Sequence, residues 1–294
     1  MEALVAYRGL VLSESIEDYP DGIIIPIDKP YRWTSADVIR KVKYHAIKHF
    51  HKKNLKVGHA GTLDPLASGV LLVCIGKATK LAEELQRHDK EYIAGVSFGA
   101  TTPSYDLEKE IDREYSLDGV SEESLRAVLP SFLGWQEQIA PLFSAKSVDG
   151  VRAYEMARRM YRTACREGGD FDHSATELLS KQNICINSIE LLSYLGADEA
   201  VNREVAAADT AASERIHVAD ISAYRLPKAE IRVSCTKGTY IRALARDLGE
   251  ALGSGAFLHS LRRSRNGAFR VEDALGIEDA IAILSNEQNI CKYQ

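Results

Sequence analysis

Two continuous apolar runs, residues 22–28 (GIIIPID) and 68–76 (SGVLLVCIG), constrain this chain more than any other feature. Each has the length of a strand, and both read as buried. After the first run, Thr34 or Ser35 can cap a helix with Val38, Ile39 and Val42 on one face. Residues 91–100 (EYIAGVSFGA) alternate in part and end in a TTPS turn. Further on, 151–167 is a strong helix pattern stopped by Gly168 and Gly169, while 183–195 and 229–236 are β-rich. Residues 239–252 are helical up to Gly253, and a last helix is expected around Ile277 to Leu284. Helices and strands do not alternate strictly, so a mixed-sheet α+β fold fits better than a doubly wound one. No internal repeat and no composition break marks a second domain.

With 45% hydrophobic and 27% charged residues, the chain has an ordinary globular composition. No apolar stretch reaches bilayer length, and the first residues lack a secretory pattern, so a cytoplasmic protein is expected. Five cysteines without CxxC spacing argue against a disulfide framework and against a zinc site. The net charge of −5 hides a segregation: residues 32–56 hold eight bases against one acid, and 196–220 hold six acids against two arginines. Local basic surface is compatible with a polyanion, although charge alone favours solvated helix faces. The Ala-rich acidic stretch at about 196–220 reads as an insertion.

Three short stretches carry chemistry. In GHAGTLDP (58–65), glycines let the backbone turn tightly, and Asp64 can be a nucleophile or base, or simply a turn aspartate bonding its own backbone. In CTKGTYIRALARDLG (235–249), Tyr240 and Arg242 can meet a flat polar ligand, or else pack and pair structurally. DKPYRWTS (28–35) is a lysine–proline turn before the basic helix.

In this order, GHAGTLDP, Lys90-Glu91-Tyr92, SAKSVDGVRAYEMAR and KGTYIRALARDLG closely resemble the TruB family of tRNA pseudouridine synthases, and LHSLRRSRNGAF extends the match. The resemblance runs from about residue 22 to 284, interrupted near 160–175 and 196–220. There are departures. Arg32 stands where the family's KPxGxTS has glycine, Thr102-Pro103-Ser104 replaces Thr-Asp-Thr while Asp106 keeps a later acid, and QIAPLFSAKS has Ala140, Phe143 and an early Lys146.

The resemblance implies one catalytic domain over residues 1–294, a central mixed, largely antiparallel sheet flanked by helices, and an RNA-binding cleft. It implies no C-terminal PUA domain, since some twenty residues follow Ala274. The implied reaction turns the T-loop uridine, position 55 of tRNA, into pseudouridine without cofactor or metal. Asp64 matches the catalytic aspartate, and His59, Tyr92, Tyr240 and Leu261 match substrate-contacting positions. Arg242 is the expected ionic partner of Asp64, Lys29 a support for the surroundings of Tyr92, and Arg262 and Arg263 are expected to meet phosphates. The implied partner is a tRNA T-arm stem-loop, bound by a monomer without guide RNA, protein partner or membrane. A tRNA-folding factor that opens the loop is the alternative.

Overall fold

The computed structural model describes residues 3–144, 146–148, 151–168, 171, 179–199 and 216–285. Most of the acidic stretch, with Gly169 and Cys291, lies outside the described residues. In chain order the main elements are β1 (Ile23–Lys29), α1 (Ser35–His49), β2 (Val57–Ala60), β3 (Ala67–Ile75), α2 (Ala82–Arg87), β4 (Lys90–Phe98), α3 (Glu122–Val128), β5 (Gly134–Ile139), α4 (Ala153–Glu167), β6 (Lys181–Leu195), β7 (Lys228–Cys235), α5 (Ile241–Ala251), β8 (Ala256–Asn266) and α6 (Ile277–Ser285). They form two compact units. One takes the described residues up to Glu91 and from Arg262 onward, the other those between Tyr92 and Leu261. The division falls inside β4 and β8, which is why no linker composition betrays it.

In the first unit, β3 is the central strand. Val70, Leu71, Leu72, Val73, Cys74 and Ile75 are fully buried in succession, so both faces are covered and the run is apolar rather than alternating. Burying each large aliphatic side chain contributes about 1.5–3 kcal/mol. β1 lies antiparallel along one edge of β3, from Ile23 opposite Ile75 to Lys29 opposite Gly69. Leu4–Val5 adds a parallel pair outside β1, which makes the sheet mixed. Thr34 caps α1 through a reciprocal box with Asp37, and α1 packs on α6 with Val38 and Val42 fully buried.

The other edge of β3 is divided. β2 pairs with its second half, Ala60 opposite Leu72 and Val57 opposite Ile75. β8 takes the first half, where its backbone meets Gly69.

In the second unit the strands run β8, β4, β7, β6, β5. β6 is antiparallel to both β7 and β5. An apolar cluster of Ala140, Leu142, Phe143, Ala153, Ala157, Phe171 and Leu179 joins α4 to the segment after β5. The expected α+β class with a mixed sheet and flanking helices is borne out.

Gly69 has φ +102°, and a Cβ there would stand 2.2 Å from the Arg263 carbonyl oxygen. Gly69→Ala is therefore expected to destabilise the protein by at least about 3 kcal/mol in urea denaturation. Gly58→Ala, where the nearest atom is 4.0 Å from the added carbon, should stay within about 1 kcal/mol of wild type.

Candidate active site

The loop 61–66 leaves β2 at the point where the shared edge of β3 passes to β8, so its backbone has no ladder to join. Buried peptide groups need partners, and here side chains supply them. Ser35, buried at the start of α1, accepts from the Leu63 N–H at 3.0 Å and donates to the Leu63 carbonyl at 3.1 Å. Lys29 Nζ donates to the carbonyl of Pro65 at 3.3 Å and to those of Pro30 and Trp33 at 2.9 and 2.5 Å. Arg263, 1% exposed, donates from Nη2 to Gly61 O at 3.0 Å, from Nη1 to Thr62 O at 3.4 Å and from Nε to Val70 O at 2.7 Å. The Ala67 N–H closes the turn on the Asp64 carbonyl at 3.1 Å. Asp64 is thus carried, half-buried, on a turn whose neighbours on both sides are held.

The charges around it are not ordinary surface charges. Lys29 is fully buried, and desolvation draws its ammonium pKa down to about 7, against the pull of the Asp64 carboxylate and with a further push from Arg263. His59, on β2, is half-buried. Desolvation first and Arg263 second hold its pKa below the ordinary imidazole value, so the ring is neutral at pH 7. Its Nδ1 is enclosed and has no hydrogen-bond partner among the described residues. Lys29, His59 and Asp64 therefore come together in the first unit. Arg32, at the position where glycine was expected, takes φ +61°.

The second unit holds the remaining predicted residues. Tyr92 is buried at the start of β4, and Leu261 is half-buried on β8. Tyr240 precedes α5 with extended φ/ψ. Its N–H donates to Gln138 Oε1 at 2.8 Å, and its carbonyl accepts from Gln138 Nε2 at 3.2 Å. Its ring packs on the Ala140–Phe143 cluster. Arg242 is buried and donates to the carbonyls of Ser104 at 3.1 Å and Phe143 at 2.9 Å. Within its own unit the acid facing it is Asp106, at 3.6 Å, which also accepts from Ser104 Oγ at 2.6 Å.

One expectation is overturned. Arg263 cannot meet a phosphate, because its guanidinium is buried and all three of its nitrogens hold backbone carbonyls. Arg262 is exposed, but it forms a forked pair with Asp28, 2.8 and 3.3 Å. Three structural roles were missed in the sequence. Ser35 is the clasp on Leu63 rather than the cap, Gln138 fixes the backbone of Tyr240, and Asp106 faces Arg242. A buried amide or hydroxyl has no periodicity to betray it; the quoted motifs contain these residues without saying what they hold. Among the described residues there is no cluster of three or more His, Cys, Asp or Glu able to hold a metal, and no helix long and apolar enough to cross a membrane.

Comparison with known proteins converges on one family. Residues 48–194 match the model of the TruB family pseudouridylate synthase N-terminal domain. The chain is 45% identical over 261 residues to tRNA pseudouridine synthase B of Phocaeicola vulgatus, covering 89% of this chain and 92% of that one. With the same-named protein of Parabacteroides distasonis it is 41% identical over 277 residues, 94% and 98% of the two chains. The chain belongs to the TruB family of pseudouridylate synthases. Among solved structures, a Cbf5–Nop10–Gar1 complex matches with TM-score 0.58 and 25% identity over 93% of this chain and 58% of that one. An H/ACA ribonucleoprotein bound to a substrate RNA containing 2′-deoxyuridine matches with TM-score 0.53 and 24% identity, over 89% and 52% of the two chains. This TruB-family chain thus spans little more than half the length of either, and the second likeness concerns the fold alone.

The buried lysine gives this family member a testable pH signature. Lys29 has a folded pKa below its unfolded value of 10.5, so its charge costs stability in full below about pH 7, and the cost is relieved as pH rises toward 10.5. In urea denaturation, wild type should gain on Lys29→Met between pH 7 and 10, by a few kcal/mol on the order set by 1.4 kcal/mol per pKa unit. A difference independent of pH would show that Lys29 is not desolvated.

Proposed function

We propose that this chain is a tRNA pseudouridine synthase that converts the T-loop uridine, position 55 of tRNA, to pseudouridine. The observation that carries the reading is Asp64, a half-buried carboxylate on a turn fixed from both sides, in a chain of the TruB family. The reaction breaks the N1–C1′ bond, turns the uracil and joins C5 to C1′; the C5 proton leaves and N1 gains one. No atom enters and nothing is oxidised, so the carboxylate suffices as reagent, whether it adds to C1′ or removes a sugar proton.

A uridine in a folded loop must first leave its stack, at a cost of a few kcal/mol. Tyr92 and Tyr240 supply replacement contacts for the uracil, Leu261 lines the sugar–base region, and neutral His59 helps hold the opened loop. Arg242, itself held by Asp106 and two carbonyls, balances the charge of the Asp64 carboxylate. Lys29 supports the site from beneath, through the Pro65 carbonyl. The protein acts as a cytoplasmic monomer and a single catalytic domain, on the T-arm stem-loop of tRNA, with no cofactor, metal, guide RNA or membrane.

The test uses a T-arm hairpin tritiated at uridine C5, because tritium leaves only if C5 becomes the glycosidic carbon. Wild type should release it, and Asp64→Asn, which keeps the shape of the side chain, should release none above background. Hairpin affinity should fall as salt rises, as phosphate contacts require. Tight hairpin binding without release by wild type would sink the enzyme reading and leave a folding factor in its place.

A further inference from the structure

We propose that Arg263 is a positioning residue for the isomerisation, acting through the turn that presents Asp64; this rests on the reading of Asp64 as the reagent. Each of its three nitrogens donates to a different carbonyl, two at the entry of the loop and one beyond its exit. One rigid, planar group therefore fixes both ends of the segment 61–70, and Asp64 lies between them.

The burial of Arg263 is hard to explain as packing alone. Among the described residues no carboxylate stands within ion-pairing distance of it, so a full charge is enclosed with carbonyl dipoles as its only hydrogen-bonding partners. Enclosing a cation without a counter-ion is costly, and an apolar side chain of similar volume fills space without that cost. What the guanidinium adds is geometry. Its forked donors hold three acceptors at fixed angles, which a lysine ammonium, a point charge on a flexible stem, does not reproduce. The attachment on the β8 side has no slack either, because the Arg263 backbone touches β3 at Gly69 closely enough that no Cβ fits between them. Position is thus passed from the sheet through a stiff side chain to the turn.

The charge has a second effect. Arg263 is one of the two causes that lower the His59 pKa, after desolvation. A variant that keeps charge but loses the fork separates the two effects. Arg263→Lys retains the cation near His59, whereas Arg263→Gln removes it.

The experiment measures single-turnover tritium release from the C5-tritiated hairpin by wild type, Arg263→Lys and Arg263→Gln. Hairpin affinity, thermal melting and the His59 titration by NMR are followed alongside. For Arg263→Lys the expected result is a folded protein with hairpin affinity within about threefold of wild type. Its release rate is expected to fall about 100-fold, the size of loss that an ångström of misplacement produces. Its His59 titration should stay near that of wild type, while that of Arg263→Gln moves up. Release by Arg263→Lys within about threefold of wild type, or a loss no greater than the loss of affinity, would overturn the assignment. Failure of Arg263→Lys to fold, even at 10 °C with saturating hairpin, would overturn it too and make Arg263 a determinant of the fold. Absence of release by wild type would instead remove the reading of Asp64 on which the assignment stands.

Discussion

The loop that carries Asp64 depends on one strand edge being used twice. β3 gives half of an edge to β2 and the other half to β8. The chain between β2 and β3 must cross the gap with no ladder to satisfy its peptide groups. Left alone, such a segment would be a solvated, mobile loop. Here it is secured by Ser35, Lys29 and Arg263, side chains from three different elements, each capturing backbone rather than another side chain. The sheet thereby presents Asp64 on irregular backbone whose neighbours on both sides are hydrogen-bonded.

Those captors also set the electrostatics. Two of them are cations, both essentially removed from solvent. Their fields act on the nearby titratable groups with little screening, unlike those of the many ion pairs on the surface. Their chief expense is desolvation, which shows in Lys29 and His59 alike: both lose affinity for a proton, chiefly because water is excluded. The chain's net charge of −5 says nothing about these local fields.

Most of the elements were legible because they obey periodicity. The β1 and β3 runs, the α1 cap at Thr34 and the α5 helix all lie where apolar spacing and capping chemistry put them. Elements that broke the pattern for a polar purpose were not legible. β8 reads SLRRSRN over its second half, and its most buried residue there besides Asn266 is an arginine, so no hydrophobic rule marks it as a strand. For the same reason Arg263 looks like a phosphate ligand in the sequence and turns out to be a clamp. A guanidinium can serve either purpose, and only its surroundings decide. The β2 strand, four residues with two of them Gly58 and His59, is too short and too polar to read as one. The division into two units was equally hidden, because it runs through hydrogen-bonded strands where composition does not change.

Arg32 shows how far such local capture can carry a backbone that its own residue does not favour. A side chain at φ +61° costs about 1–2 kcal/mol relative to the right-handed region, and such strain persists only where the surroundings over-determine the conformation. Lys29 provides that. Its ammonium binds the carbonyls of Pro30 and Trp33, on either side of Tyr31 and Arg32, and the Pro65 carbonyl next to Asp64. The turn thus keeps its shape without glycine because the same buried charge that ties it to the loop of Asp64 also pins both its ends. A desolvated ammonium is an expensive way to hold a turn, and its use here follows from position: from β1 it reaches the carbonyls of both loops at once.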